Sequence, residues 1–165
     1  MELILTKKAY RSIAEECTFF PDVETGGILI GKKIDGRIIV PFALGSGPRA
    51  RRSWTRYSPD VDWQQQALEK LFARYQVNYV GSFHRHPGFY CQPSAIDHRT
   101  AREIISSPSW DISEAVFPII IFKGRKLEMH PYYISQAAKV FRPIRWQIVS
   151  RKNKLVRAAL RRRRK

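Results

Sequence analysis

The sequence predicts an α/β layered domain built on a mixed or antiparallel β-sheet. Three observations lead there. Apolar runs of strand length alternate with segments of helical periodicity, an Asp-Gly pair joins two of those runs as a hairpin, and Ala115 to Phe122 is a nearly continuous apolar stretch that reads as a buried strand. The length, 165 residues, fits one domain, since domains commonly run to roughly 100–150 residues. With 44% apolar and 12% aromatic residues the chain can build a core, which excludes wholesale disorder.

Each element has its own signal. Glu2 to Leu5 is predicted as a short strand, and Thr6 offers an N-cap oxygen to a helix with apolar positions at Ala9, Tyr10, Ile13, Ala14 and Cys17, which Pro21 ends. Gly26 to Gly31 and Ile38 to Val40 flank Asp35-Gly36, a strong hairpin signal. Residues 45–53 have the composition of a loop. Ser58 and Pro59 are expected to open a helix with Val61, Gln65, Leu68, Leu71, Phe72 and Tyr75 on one broad face. Val77 to Phe83 reads as a strand that delivers the chain to His84-Arg85-His86-Pro87. Ser94, with Asp97 at the capping-box spacing, is expected to cap a helix from about Ala95. After the Ala115–Phe122 strand, Lys123-Gly124-Arg125-Lys126 turns the chain back into Leu127 to Ile134. Residues 144–165 are predicted as an amphipathic helix through Ile148, Val149, Leu155, Val156 and Leu160, frayed from Arg161 to Lys165.

The formal net charge of +16 is unevenly placed. Residues 1–138 hold 18 basic and 14 acidic side chains, whereas residues 139–165 hold 12 basic and none acidic. The basicity therefore belongs to the tail, for which three readings stand: a phosphate-binding arm with non-specific nucleic-acid affinity, a docking segment for an acidic protein, or a solubilising end. No apolar run approaches the ~18 residues a membrane-spanning helix needs, and Met1 to Leu5 lacks the basic flank of a signal peptide. Cys17 and Cys91 are too few for a disulfide framework. A cytoplasmic protein without membrane partners is the expectation.

The chemistry concentrates in His84-Arg85-His86-Pro87 and Ser94-Ala95-Ile96-Asp97. Two histidines one residue apart on a strand point the same way, because side chains alternate with a period of two. A helix beginning at Ser94 places Asp97 one turn in, where its carboxylate can return toward the imidazoles. Two neutral nitrogens and one carboxylate oxygen make the three-ligand set of a catalytic zinc ion, with a fourth position left for water. Glu24, isolated beside the apolar run that starts at Gly26, suits a partly buried acid/base.

Glu24 followed by H-x-H-P-x6-S-x-x-D resembles the JAMM signature of the JAB/MPN metalloprotease family. The segment Glu24-Thr25-Gly26-Gly27-Ile28-Leu29-Ile30-Gly31 and the order of elements resemble its compact prokaryotic branch. The resemblance implies an MPN (cytidine-deaminase-like) metallopeptidase domain over residues 1–140, with 141–165 a basic helix or tail. It implies that His84, His86 and Asp97 bind Zn2+, that Glu24 is the general acid/base, and that Ser94 steadies the oxyanion. The implied activity is a zinc-dependent isopeptidase that cleaves after the C-terminus of a ubiquitin-like or similarly conjugated protein. Its setting would be a bacterial operon with E1-like and E2-like partners, antiphage CBASS-type systems included. Two other readings stand beside it: C-terminal processing of a sulfur-carrier protein, and a non-catalytic basic scaffold that binds nucleic acid.

Around this site, Arg49, Arg51 and Arg52, with Trp54 and Tyr57 nearby, are candidates for a basic and aromatic substrate groove, or else a solvated loop. Cys91, between the histidines and Ser94, is a candidate for contact with substrate or metal, or else an ordinary loop cysteine. Arg85 is expected on the opposite side of its strand, with no catalytic role. His98 and His130 are expected outside the site.

Overall fold

The computed structural model describes residues 1–108 and 112–161. Strand β1 (Glu2–Thr6) leads into helix α1 (Lys7–Phe19), whose start is fixed by Thr6: its Oγ1 accepts from the Ala9 N–H at 3.1 Å. Strands β2 (Thr25–Ile34) and β3 (Arg37–Gly45) form the expected hairpin. Asp35 and Gly36 turn it with φ of 49° and 70°, the left-handed pair that a two-residue turn of this twist requires.

A two-stranded ribbon of β4 (Arg51–Arg52) and β5 (Tyr57–Ser58) follows, then helix α2 (Val61–Tyr75) and strand β6 (Asn78–Arg85). Helix α3 (Ala95–Ser106) precedes the hairpin of β7 (Glu114–Lys123) and β8 (Lys126–Ser135), and β9 (Arg142–Pro143), β10 (Arg145–Val149) and helix α4 (Lys154–Ala159) complete the chain. The main sheet has eight strands in the order β10-β1-β3-β2-β6-β7-β8-β9. It is mixed, with β1 parallel to β10 and β3, β6 parallel to β7, and the remaining neighbours antiparallel.

Alternation along the strands sorts the core into two layers. Leu3, Leu5, Ile38, Val40, Phe83, Val116 and Ile120 pack with Ala9, Ile13 and Cys17 of α1 on one face. On the other face Ile4 and Ile39 meet Val156 and Ala159 of α4, while Ala115, Phe117 and Ile134 meet Ala101 and Ile105 of α3. His84 near the end of β6 and His86 just beyond it follow the same alternation and fall on the side of α3, whose Asp97 meets both rings.

Four expectations are corrected. The helix expected from Ser58-Pro59 starts at Val61: Ser58 pairs with Arg51 in the ribbon, and the cap is Asp60, whose Oδ1 accepts from Trp63 N–H at 3.3 Å. The ribbon itself takes Arg51 and Arg52 out of the loop read over 45–53. The apolar face of α2 is rotated from the one expected, for Gln64 is its buried residue while Val61 and Phe72 are 64% and 45% exposed. The helix expected over 144–165 is instead strand β10, which pairs in register with β1 from Arg145 to Val149, followed by the short α4. Trp146 stacks on Tyr10 with ring centroids 6.0 Å apart, which ties this basic segment to α1. The fraying expected at the end of the chain falls, from Arg162 on, outside the described residues. Among the described residues no helix is long and apolar enough to cross a membrane.

Candidate metal centre

The site forms where β6 ends and α3 begins. His84 and His86 are buried, and their Nε2 atoms face each other at 2.7 Å. The backbone N–H of His86 donates to Ile120 of β7 at 3.0 Å, so the second histidine is still held by the sheet one residue beyond β6. Its Nδ1 donates to the Tyr90 carbonyl at 2.8 Å, which leaves the Nε2 lone pair free for a cation.

Asp97 reaches both rings from α3, with Oδ1 3.2 Å from His84 Nε2 and Oδ2 3.5 Å from His86 Nε2. Ser94 anchors it. The Asp97 N–H donates to Ser94 Oγ at 3.2 Å, and the Ser94 N–H donates to Asp97 Oδ2 at 2.6 Å. Asp97 is thus at once the capping-box acid and the third donor of the cluster, and the two roles do not compete, because a carboxylate has lone pairs for both.

The potential donor atoms of His84, His86 and Asp97 lie within 4.8 Å of one another and make up the one such group among the described residues. Two imidazole nitrogens and a carboxylate oxygen, oriented by hydrogen bonds from behind, fit a divalent metal ion. Burial works against ionised Asp97, but hydrogen bonds from His84 and His86 outweigh it and hold the carboxyl far below the usual carboxylate range. Burial would likewise lower the His86 pKa, and the Asp97 and Tyr90 hydrogen bonds reverse this, raising it above its ordinary value.

Glu24 enters from the neighbouring strand. It directly precedes β2, whose Thr25 and Gly26 lie opposite Arg85 and His84, and its N–H donates to the Ser53 carbonyl at 2.8 Å. Its carboxyl is half-buried, and burial raises its pKa, with His84 and His86 pulling it back. A cavity of about 350 Å3 joins Glu24, His84 and Asp97 to an apolar wall that includes Ile28, Tyr79, Ile104 and Phe117. Gly26 lets β6 and the Tyr57 ring close in on β2: a Cβ there would stand 2.3 Å from the Phe83 carbonyl oxygen and 2.6 Å from the Tyr57 hydroxyl oxygen.

The other predicted positions fall elsewhere. Arg49 binds Asp60 at 2.9 and 3.1 Å and Asp62 at 3.1 Å. Arg52 turns inward to Thr25 Oγ1 at 2.9 Å and Glu16 at 3.0 Å, under the Phe20 ring. Arg51 and Trp54 are exposed. Cys91 is half-buried outside the donor group, its carbonyl accepting from Tyr132. None of these five lines the cavity. The adjacent Thr55, Arg56 and Tyr57 do. Nothing in the sequence marks Thr55 and Arg56, since the strands of the β4–β5 ribbon that carries them are only two residues long, whereas Tyr57 is the one member of the expected basic and aromatic groove that lines the cavity. Arg85 lies behind its strand, as expected, bonded to Val23. His98 packs against Phe141 with centroids 4.8 Å apart, and His130 lies on β8.

Residues 6–148 match the family described as prokaryotic homologs of the JAB domain. The chain belongs to this family. It is 27% identical over 124 residues to the probable metalloprotease y4qB of Sinorhizobium fredii, covering 71% of this chain and 72% of that one. It is 30% identical over 105 residues to an uncharacterized protein of Caenorhabditis elegans, covering 62% of this chain and 33% of that protein. The solution structure of the protein DSY2949 of Desulfitobacterium hafniense shares the fold, with a TM-score of 0.66 over 90% of this chain and 93% of that one at 21% identity. The JAB family, the metalloprotease relative and the His-His-Asp cluster together point to a metal-dependent hydrolase.

Proposed function

We propose that this JAB protein is a zinc-dependent peptidase of the JAMM type that hydrolyses the amide bond after the C-terminus of a ubiquitin-like or similarly conjugated protein. The observation that carries this is the meeting, in one cavity, of His84 from β6, Asp97 from α3 and a half-buried Glu24 just ahead of β2. Two imidazoles and a carboxylate are a donor set that suits zinc, which when bound would supply Lewis acidity toward a carbonyl and lower the pKa of water.

The protein's own groups then have distinct tasks. His84, His86 and Asp97 would hold the ion, with the Ser94 and Tyr90 hydrogen bonds fixing two of them. Glu24, whose pKa burial raises, takes the proton of the attacking water and returns it to the leaving nitrogen. Ser94 Oγ already accepts from Asp97, so its own hydrogen remains to donate to the carbonyl oxygen as that atom gains charge. The apolar wall of the cavity excludes water beside the reacting bond.

Supporting the assignment to conjugated proteins are the JAMM pattern and the short connection between Asp97 and the Ala115 strand, and a bacterial conjugation or antiphage pathway with E1-like and E2-like partners is the setting we assign. The test is a fusion of a bacterial ubiquitin-like domain, through its C-terminus, to a fluorescent protein. Zinc-loaded protein should release the fluorescent partner and Glu24→Gln should not, at equal zinc content. Cleavage that persists undiminished in Glu24→Gln would defeat the mechanism.

A further inference from the structure

The strand that bears the two imidazoles carries a buried guanidinium between them. Arg85 is 6% exposed. Strand alternation sends its side chain through the sheet to the α1 face, where it lies over the Phe122 ring at 5.3 Å. There Nη1 donates to the Val23 carbonyl at 2.9 Å, while Nε is buried without a hydrogen-bond partner. Among the described residues no carboxylate forms an ion pair with it. Burial disfavours the charge and outweighs the field of Asp22, which favours it without forming an ion pair, and an apolar side chain of similar volume would serve stability as well or better.

What Arg85 holds gives the reason for its presence. The pairing of β2 with β6 begins at Thr25 opposite Arg85, so Val23 and Glu24 lie beyond the last rung of the ladder. Two hydrogen bonds fix them: Glu24 N–H to Ser53, and Arg85 to the carbonyl of Val23. We propose that Arg85 is a positioning residue that clamps the Val23 carbonyl and so sets Glu24 at a fixed height beside His84 and His86. One residue of β6 thereby ties the acid/base to the strand that bears two of the metal donors, from the opposite face of the sheet. This rests on the reading of Glu24 as the acid/base.

The experiment compares the full chain, zinc-loaded, as wild type, Arg85→Met and Arg85→Lys. Its readouts are kcat and KM on the ubiquitin-like fusion, zinc content, thermal midpoint and amide hydrogen exchange. Arg85→Met should lower kcat by about 10- to 100-fold, the cost of a displaced catalytic group, with KM within about twofold. Zinc content should not change, and the midpoint should hold or rise, because the unpaired charge is gone. Exchange should quicken about tenfold at Glu24 and Thr25 alone, a local opening. Arg85→Lys, which keeps a donor for the Val23 carbonyl, should recover most of kcat and the slow exchange.

Unchanged exchange at Glu24 in Arg85→Met would overturn the proposal. So would a fall of several degrees in the midpoint with exchange rising throughout the sheet, which marks an ordinary structural role. Inactivity of the wild type on the fusion would instead defeat the peptidase reading, and the exchange and midpoint measurements would still decide the clamp.

Discussion

Removing the Ser94 hydroxyl separates a structural role from a chemical one by magnitude. Ser94 caps α3 through its Oγ, 3.2 Å from the Asp97 N–H, and a lost Ser cap costs about 1 kcal/mol. For a domain of this size that lowers the thermal midpoint by roughly 2–4 °C. A protein stable by about 5–15 kcal/mol remains almost wholly folded after such a loss, so unfolding cannot account for any large drop in rate. The same hydroxyl is the donor assigned to the developing charge on the carbonyl oxygen, and deleting such a donor lowers kcat about 10²- to 10³-fold. Ser94→Ala should therefore show a small midpoint shift and a large kcat loss. Ser94→Gly, which costs a cap only a few tenths of a kcal/mol, should show the same kcat loss with almost no shift. The assays are thermal unfolding by circular dichroism and initial rates on the ubiquitin-like fusion. A kcat loss under about threefold in both variants would refute the oxyanion role, since no interaction confined to the transition state would then have been removed.

Further outcomes follow from the same geometry. Cys17 is fully buried and burial pushes its thiol up to about 12, so iodoacetamide at pH 8 should add one label, at Cys91, to the folded protein and two after denaturation, as read by mass spectrometry. Gly26→Ala should lower the thermal midpoint together with activity, because its Cβ would stand 2.3 Å from the Phe83 carbonyl oxygen and force β2 away from the strand that carries His84; thermal unfolding and kcat on the fusion check this. Chelation should lower the thermal midpoint and re-addition of zinc restore it in a concentration-dependent way, because the ion binds the folded state alone. His84→Ala should abolish that dependence.

The sequence reading reached the site where local rules govern it. The Thr6 and Ser94 caps, the Asp35-Gly36 turn and the shared direction of His84 and His86 are set within a few residues, and all appear in the structure. The approach of Glu24 to the histidines depends on β2 pairing with β6 some sixty positions away in sequence, and the motif, not local physics, connected them. Strand β10 is hidden in the sequence because it is an edge: Arg145, Gln147 and Ile148 are exposed, so the alternation of apolar and polar residues is blurred. Apart from Tyr57, the expected groove residues miss the cavity for a similar reason. Arg52 looks solvated by composition, yet Glu16, Thr25 and Phe20 satisfy it from within, partners that only the tertiary fold supplies.

Crystallography of the zinc-loaded protein with anomalous scattering collected at the zinc edge tests the central assignment most directly. The account predicts a single strong peak about 2.0–2.2 Å from His84 Nε2, His86 Nε2 and an Asp97 oxygen, with Glu24 facing its open side. Absence of a peak there, or a peak held by other residues, would contradict it.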